Sequence, residues 1–245
     1  MGVSAKSVVT QGVVLSAVDY LDNDKIVSIF TQDFGVISAK IKGVKKGNAK
    51  LKFAALPFCY AQFNLATREE MSVITNAVEV ESYFKLTQNY DALIIGSAIL
   101  ELVSMVGPSC ETEVLFYALI KALHTLAEFT THHSIVLLRF MLGILKVSGY
   151  QLNLQACAKC NKHMKEAFVE PKNGALVCAA CAPFGAVEVS SELFDMLRGM
   201  IKVDFDNLGQ FAITKLQEKE AFLFVQKLCD IHYGRLLNSL KQVMF

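Results

Sequence analysis

The sequence has few charged residues and none of the common catalytic motifs. Of its 245 residues, 19% are charged and 53% are hydrophobic, which excludes intrinsic disorder as the main state. It contains no GxxxxGK[S/T], GxSxG or HExxH motif, no internal repeat and no low-complexity tract. These absences count against a P-loop ATPase, an α/β-hydrolase and an HExxH metalloprotease. An enzyme whose site is assembled from scattered residues stays open.

No hydrophobic run is long enough to span a membrane. The most apolar stretch, 92–106, has 15 residues and includes Glu101, whereas a spanning helix needs about 20 apolar residues. Packing inside a helical domain is therefore the better interpretation. The first residues lack an apolar core before a cleavage site, so no signal peptide is predicted. We expect a cytoplasmic protein that has no membrane partner.

Four of the seven cysteines form two Cys-x-x-Cys pairs, Cys157/Cys160 and Cys178/Cys181, with 17 residues between the pairs. This spacing is typical of a four-thiolate zinc site. Asn173-Gly174 lies between two short β-rich segments and is expected to turn a hairpin that brings the pairs together. Because four thiolates complete a tetrahedron, the Zn²⁺ is predicted to be structural and not catalytic.

Other interpretations of the cysteines are weaker. A thioredoxin-type dithiol needs one pair in a βαβ context, and no such context is present. His163 follows Cys160 by three residues and is a conceivable alternative ligand. The single cysteines, at 59, 110 and 229, lie in apolar contexts and are expected to be small buried hydrophobic residues.

Residues 1–80 are rich in β-forming residues. Turn signals such as Asp22-Asn23-Asp24 and Gly47-Asn48 separate five short segments, 7–18, 25–31, 34–43, 57–66 and 71–76. Five short strands at this spacing predict a small barrel. In the third segment Ile37, Ala39 and Ile41 alternate with polar residues, so one face is expected in the core and the other in solvent.

Residues 81–245 are expected to form a helical domain. Apolar residues recur at helical spacing in 89–106, 111–129, 134–148, a segment that begins at Ser190-Ser191, and about 217–243. The cysteine pairs lie in an insert at about 150–185, which contains Pro171, Gly174 and Pro183 and no long periodic run. The apolar excess of this domain leaves open a groove for an apolar peptide, although burial inside the bundle accounts for most of it.

The net charge is +1, but the charge is unevenly distributed. A lysine block with no acidic residue spans 40–52 and consists of Lys40, Lys42, Lys45, Lys46, Lys50 and Lys52. Clustered cations on a small barrel are typical of a surface that binds the phosphates of single-stranded nucleic acid. A solvated loop explains the same block equally well.

The order of these parts resembles the RecO family of bacterial recombination mediator proteins. The segments that are similar to the family are 24–31 (DKIVSIFT), 34–39 (FGVISA), 43–46 (GVKK), 56–58 (LPF), 139–142 (RFML), 148–150 (SGY) leading into Cys157, and 232–236 (HYGRL). Each match is loose except the cysteine set, so the resemblance rests on their order along nearly the whole chain.

The resemblance implies a DNA repair and homologous recombination mediator. Such proteins bind single- and double-stranded DNA, anneal complementary strands and act with RecR to load RecA onto DNA coated by single-strand-binding protein (SSB). The acidic, Phe-ending tail of SSB docks on their helical domain. Carried over to this chain, the lysine block would bind phosphates and the four paired cysteines would bind zinc. The basic segment departs from many relatives because it is rich in lysine and poor in arginine, which suits sequence-independent binding.

The predicted architecture is α+β. It consists of a five-stranded barrel of the oligonucleotide-binding (OB) type at 1–80, followed by a helical domain at 81–245 with an inserted zinc knuckle. The predicted activity is non-enzymatic, needs no small-molecule substrate and takes place in the bacterial cytoplasm in association with the nucleoid. One alternative is a zinc-containing RNA-binding or regulatory protein with the same barrel, and another is a hydrolytic enzyme.

Overall fold

A computed structural model describes residues 6–68, 71–129, 132–150, 152–234 and 239. The chain divides into two compact units, residues 1–128 and residues 129–245. The first unit contains a five-stranded sheet and two α-helices, and the second contains three α-helices and a small sheet. The expected α+β class, with strands at the N-terminus and helices after them, is confirmed.

The five N-terminal strands close into a barrel in the order β1-β2-β3-β5-β4. Neighbouring strands are antiparallel except β3 and β5, which pair in parallel through Ala39↔Ser72 and Lys40↔Val73. The strands are β1 (Lys6–Tyr20), β2 (Asp24–Thr31), β3 (Gly35–Ile41), β4 (Cys59–Arg68) and β5 (Met71–Ser82).

The alternation predicted for the third strand is confirmed. Ala39 and Ile41 are fully buried in the barrel core, and Ile37 packs against that core from its edge. Ser38 and Lys42 are exposed, and Lys40 is half-buried. Because successive side chains of a strand point to opposite faces, the seven residues of β3 supply a core face and an opposite face that carries Lys40.

The fifth strand runs further than the sequence predicted. The prediction ended it at Asn76, a residue depleted in strands, but β5 continues to Ser82 because its backbone stays paired with β4 through Gln62↔Val78, Ala61↔Glu79 and Cys59↔Ser82. A register shift beside Tyr60 accommodates the longer ladder. Tertiary pairing therefore overrides local preference at this point.

Two helices complete the first unit, α1 (Tyr90–Val106) and α2 (Thr112–Glu128). Asn89 caps α1 by accepting a hydrogen bond from the Ala92 N–H at 3.0 Å. The expectation that no run is long enough to span a membrane was wrong on length, because the 20-residue segment Tyr90–Ser109 is long and apolar enough, but 61% of its 18-residue window is buried inside the structure. That burial is the behaviour of a core helix and fits the packing predicted from the sequence.

The second unit contains α3 (His133–Val147), α4 (Ser191–Lys202) and α5 (Lys215–Tyr233). Ser190 caps α4 by accepting from the Leu193 N–H at 3.2 Å, as its position in the sequence suggested. A capping box formed by Thr214 and Gln217 starts α5. Between α3 and α4 lies a three-stranded antiparallel sheet of order β7-β6-β8, made of β6 (Ala167–Val169), β7 (Leu176–Val177) and β8 (Val187–Val189).

The last helix is shorter than predicted. It ends at Tyr233, where Gly234 adopts the left-handed conformation (φ 70°) that commonly terminates a helix. The apolar stripe suggested a helix to about 243, and the remainder of that segment lies outside the described residues, apart from Ser239.

Candidate metal centre and nucleic-acid interface

Each Cys-x-x-Cys pair lies on a tight turn. After the first pair, Asn161 is left-handed (φ 57°), its N–H donates to the Cys157 carbonyl at 2.9 Å, and the Cys157 N–H donates to the Lys162 carbonyl at 2.9 Å. After Cys178 a 3-10 turn runs over Ala179–Cys181, in which the Cys181 N–H donates to the Cys178 carbonyl at 2.9 Å. Both turns direct two sulfurs to one side of the backbone.

A hairpin brings the two turns together. Strands β6 and β7 pair through Phe168↔Val177 and Val169↔Leu176, and the turn between them closes where the Gly174 N–H donates to the Glu170 carbonyl at 2.9 Å. The hairpin predicted at Asn173-Gly174 is confirmed. The Ala158 N–H donates to the Leu176 carbonyl at 3.0 Å and so fastens the first turn to β7, which leads directly into Cys178.

The four sulfurs fit a tetrahedral metal site. The Sγ atoms of Cys157, Cys160, Cys178 and Cys181 all lie within 4.8 Å of one another. Cys160 Sγ and Cys178 Sγ are 3.8 Å apart, which is about the edge of a tetrahedron whose zinc–sulfur bonds are about 2.3 Å. A soft, closed set of four thiolates is what structural Zn²⁺ prefers. Within the described residues the metal-binding cluster contains these cysteines alone, and His163 is exposed outside it.

Within the cluster, the Cys157 thiol ionises more readily than the Cys181 thiol. Burial raises the pKa of the Cys157 thiol, but backbone N–H groups of Cys160, Cys178 and Lys159 outweigh burial and bring that pKa down to about 6. Hydrogen bonds that the Cys181 thiol donates to the sulfurs of Cys160 and Cys178, followed by burial, raise the pKa of Cys181 to about 12. Since a metal binds thiolates, loading of this site must displace protons.

An ion pair braces the insert from outside the sulfur cluster. Lys159 Nζ lies 3.0 Å from Glu170 Oε1 and 3.5 Å from the Cys181 carbonyl oxygen. The Lys159 hydrogen bond, followed by one from Asn173, lowers the pKa of the Glu170 carboxyl. Lys159 thus links the first turn to the hairpin and to the end of the second turn.

The lysine block begins on β3 and continues into the loop after it. Gly43 turns the chain in the left-handed conformation (φ 65°), and its N–H donates to Asp24 Oδ1 at 2.7 Å. The Lys45 N–H donates to the Asn23 carbonyl at 3.0 Å, and Val44 is buried in the barrel core. The first part of the loop is therefore fixed to the β1–β2 turn.

Acidic residues from other strands engage part of the block. Lys40 Nζ lies 2.9 Å from Asp24 Oδ2 and 4.5 Å from the centre of the Tyr20 ring. Lys45 Nζ lies 2.8 Å from Asp19 Oδ2. The Asp24 pKa is lowered by the Gly43 N–H and by Lys40, and the Asp19 pKa is lowered by Lys45. The sequence placed no acid within 40–52, but β1 and β2 supply two.

The remaining lysines of the block differ in whether their ammonium groups contact other residues. Lys52 Nζ donates to the Gly47 carbonyl at 2.8 Å and so closes the loop on itself. Lys42, Lys46 and Lys50 are exposed, and in the part of the chain that the structure describes none of them forms a salt bridge. These three lysines are the cations most available to an external anion. The role of Asp24 was missed because the sequence shows Asp22-Asn23-Asp24 only as a turn, and that of Asp19 was missed because it lies 26 positions from Lys45.

Two family models match the chain in order. Residues 6–83 match the one described as "Recombination protein O N terminal", and residues 87–241 match the one described as "Recombination protein O C terminal". The chain belongs to the RecO family. This placement confirms the resemblance found in the sequence and sets the chain among proteins of DNA repair and recombination.

Curated relatives of the RecO family cover most of the chain. It is 28% identical over 212 residues to the DNA repair protein RecO of Caldicellulosiruptor saccharolyticus, covering 86% of each chain. It is 24% identical over 233 residues to the protein of that name from Clostridium acetobutylicum, covering 94% of each. It is 27% identical over 233 residues to the one from Frankia casuarinae, covering 94% of this chain and 95% of the relative.

The boundary between the two RecO family regions does not coincide with the boundary between the two compact units. The N-terminal match ends just after β5, and the C-terminal match begins just before α1. The two matches therefore meet in the 3-10 turn Tyr83–Gln88, whereas the compact units divide after α2. Helices α1 and α2 belong to the C-terminal family region by sequence and to the barrel unit by packing.

Proposed function

We propose that this protein is a non-enzymatic mediator of DNA repair and homologous recombination. It binds single- and double-stranded DNA, anneals complementary strands and, with RecR, helps load RecA onto SSB-coated DNA in the bacterial cytoplasm, in association with the nucleoid. Residues 1–80 bind the nucleic acid, and residues 81–245 form the helical domain, with the zinc knuckle at about 150–185. The observation that carries the proposal is a set of exposed lysines, Lys42, Lys46 and Lys50, that form no salt bridge within the described residues of this RecO family member.

The barrel is proposed to be of the OB type. Its five strands close in the order β1-β2-β3-β5-β4, with β3 and β5 parallel. OB barrels bind oligonucleotides on the face of their second and third strands. In this chain Lys40 lies on the outer face of β3, and Lys42, Lys46 and Lys50 lie in the turn and loop that follow it.

Phosphate neutralisation supplies the annealing mechanism. Lysine binds phosphate as a flexible point charge and does not read bases, so two strands of any sequence can lie on the surface together. Lys46 and Lys50 reduce the repulsion between the two phosphate backbones, and the bases are left free to pair. No ATP is required, because the paired duplex is the more stable product.

The proposed role of the metal is to hold the insert. Zn²⁺ bound by Cys157, Cys160, Cys178 and Cys181 has no open coordination position, so it supplies rigidity and no chemistry. The sheet of the insert has strands of only two or three residues, too short to be stable alone. The metal is proposed to supply the stability that so small a sheet lacks.

The SSB tail is proposed to bind the second compact unit, beside Arg139. A small cavity of about 50 Å³ there is lined by Arg139, Leu142, Gly143, Lys146, Leu152 and Ile201. Arg139 is held by donating from Nε to the Val203 carbonyl at 2.6 Å and by stacking over Phe205. Two cations suit acidic residues and a terminal carboxylate, and Leu142, Leu152 and Ile201 offer apolar contacts beside them. Lys146→Glu should weaken binding of an acidic, Phe-ending peptide several-fold, whereas Lys219→Glu should not.

Fluorescence anisotropy of a labelled oligonucleotide at several salt concentrations tests the DNA-binding proposal. The logarithm of affinity should fall linearly with the logarithm of salt concentration, by about 0.7 per phosphate contacted on a single strand. Lys46→Glu with Lys50→Glu should weaken binding and flatten that slope, whereas Lys85→Glu, an exposed lysine outside the block, should not. Equal binding by both variants would place the DNA surface elsewhere.

An annealing assay without ATP distinguishes the proposed recombination mediator from the alternative functions. Wild-type protein should accelerate the pairing of complementary DNA oligonucleotides, and the Lys46→Glu, Lys50→Glu variant should lose most of that acceleration. An RNA-binding or regulatory protein with the same barrel would bind RNA in preference and would not anneal DNA. Co-purification with RecR is the matching test of the protein partner.

A further inference from the structure

A cavity in the second unit belongs neither to the zinc site nor to the lysine block. It has a volume of about 460 Å³, within the range of about 300–1,000 Å³ that is typical of small-molecule sites. The hairpin turn forms one wall, and the last turn of α5 forms another. The lining residues are Tyr150, Leu152, Asn153, Ala158, Lys172, Asn173, Gly174, Ala175, Leu176, Ile231 and His232.

One wall of this cavity is a stacked aromatic platform. The rings of Tyr150 and His232 lie 4.0 Å apart and are 19° from parallel. Tyr233 meets Tyr150 edge-on at 6.1 Å, and Tyr233 is itself held by a 2.9 Å hydrogen bond from its hydroxyl to Ser148 Oγ. Tyr150 is nevertheless 43% exposed. Its ring is therefore fixed in orientation while a large part of its surface remains open.

Hydrogen-bond donors and one cation surround the platform. Asn153 Oδ1 accepts from the N–H groups of Gln155 and Ala156, each at 3.0 Å, so the amide NH₂ of Asn153 points away from the backbone it caps. Asn173 Oδ1 likewise accepts from the Ala175 N–H at 3.0 Å, but the Asn173 side chain also hydrogen-bonds to the Glu170 carboxylate. Lys172 is exposed and forms no salt bridge within the described residues. The lining residues therefore offer the Asn153 amide as a donor and Lys172 as a cation, and they include no carboxylate, although Glu170 lies close enough to Lys172 to interact with its charge.

The hairpin turn fits closely against the platform. Gly174 is left-handed (φ 67°), and a Cβ atom there would lie 3.1 Å from Leu228 Cδ2 and 3.2 Å from His232 Nε2. Burial also lowers the pKa of His232, so the imidazole is neutral near pH 7. The absence of a side chain at 174 allows the turn to approach the ring and to define the cavity.

We propose that this cavity binds one unstacked nucleotide, with its base against the Tyr150–His232 platform and its phosphate near Lys172. Stacking on aromatic side chains accepts any base, because every base has a π-face. The amide NH₂ of Asn153 can donate to a base edge, and Lys172 can neutralise the phosphate. A nucleobase carrying a phosphate can come from a DNA strand or from a free nucleotide. The first source rests on the proposed function, and the second does not.

The test uses the full chain loaded with zinc and two probes. One probe is a short oligothymidylate carrying a single 2-aminopurine, whose fluorescence is quenched by stacking, and the other is thymidine monophosphate as a competitor. The variants are Tyr150→Ala, Tyr150→Phe and Lys172→Glu, with Lys219→Glu as the matched exposed lysine outside the cavity. Zinc content and the unfolding midpoint of each variant verify that the insert is folded.

Tyr150→Ala should weaken binding of the oligonucleotide about tenfold and abolish the 2-aminopurine quenching. Lys172→Glu should weaken binding several-fold, and Tyr150→Phe and Lys219→Glu should bind as the wild type does. If Tyr150→Ala and Lys172→Glu bound the oligonucleotide with wild-type affinity, the nucleotide site would be disproved. This holds even if the lysine-block variants bind DNA more weakly than the wild type. Binding of thymidine monophosphate alone, lost in Tyr150→Ala, would support the cavity while contradicting the proposed DNA function.

Discussion

Lys40 and Asp24 form an ion pair across neighbouring strands, with Lys40 Nζ 2.9 Å from Asp24 Oδ2. The other oxygen of Asp24 accepts the Gly43 N–H at 2.7 Å, so one carboxylate both neutralises a lysine and fixes the turn that starts the basic loop. The side chains of Lys40 and Asp24 are 18% and 17% exposed, in contrast to the open lysines further along. Lys40 is therefore a structural cation more than a free phosphate ligand.

Asp24→Asn separates the two roles of that carboxylate. The amide retains an oxygen for the Gly43 N–H but removes the negative charge next to Lys40. We expect DNA affinity at low salt to rise by roughly twofold to fivefold, because loss of the pair releases one cation for contact with a phosphate. Anisotropy titrations over a salt series measure both the affinity and the slope.

Asp22→Asn is the control for this change. Asp22 is exposed in the same turn and has no lysine at salt-bridge distance among the described residues. If both variants gained affinity equally, the effect would be one of net charge alone and the specific restraint of Lys40 by Asp24 would be disproved.

The carboxyl groups near the lysines predict a loss of stability in acid. The pKa of Asp24 is lowered by the Gly43 N–H and Lys40, and that of Asp19 is lowered by Lys45. A folded-state pKa below the unfolded value of about 3.9 means that the unfolded state binds more protons as the pH falls. The stabilisation is therefore complete above about pH 5 and is lost as the pH drops through the folded-state pKa values.

Thermal unfolding from pH 6 to pH 2 measures this dependence. The unfolding midpoint of the wild type should decrease below about pH 4, and the decrease should be shallower in Asp24→Asn because one of the linked groups is gone. Parallel curves for the two proteins would show that Asp24 has the same pKa in the folded and unfolded states.

The four-thiolate site predicts one tightly bound zinc ion per chain. Protein purified without chelator should contain it, and loading the metal-free protein should release protons, because the thiols must ionise. Cys178→Ser should lose most of the zinc and lower the unfolding midpoint, whereas Cys110→Ser, outside the cluster, should retain the metal. Metal analysis and calorimetry make the comparison, and a zinc content in Cys178→Ser equal to that of the wild type would reject the assignment.

Patterns local in sequence were predicted well. The alternation of Ile37, Ala39 and Ile41 identified the core face of β3, and the spacing of Cys157 and Cys178 identified two turns that the structure brings together. Both signals need only the geometry of a strand or a short turn, together with the chemistry of the residues.

Features that depend on tertiary pairing were not predictable. The extension of β5 to Ser82 follows from its ladder with β4, and the neutralisation of Lys45 by Asp19 joins residues 26 positions apart. The stack of Tyr150 on His232 likewise joins the start of the insert to the last helix. Their residue types are ordinary in isolation, and no periodicity or motif places them side by side.

A buried carboxylate in the second unit predicts a large stability effect. Glu218 on α5 is 4% exposed, its Oε1 accepts a hydrogen bond from the Ser134 hydroxyl on α3, and its Oε2 lies 3.4 Å from His132 Nδ1. Glu218→Ala leaves that hydroxyl without its partner and should lower the free energy of unfolding by about 2–3 kcal/mol. Glu218→Gln keeps an oxygen for Ser134 and should cost less. Urea unfolding gives both values, and a change in Glu218→Ala no larger than that in Lys219→Ala, an exposed neighbour, would show that these contacts do not stabilise the unit.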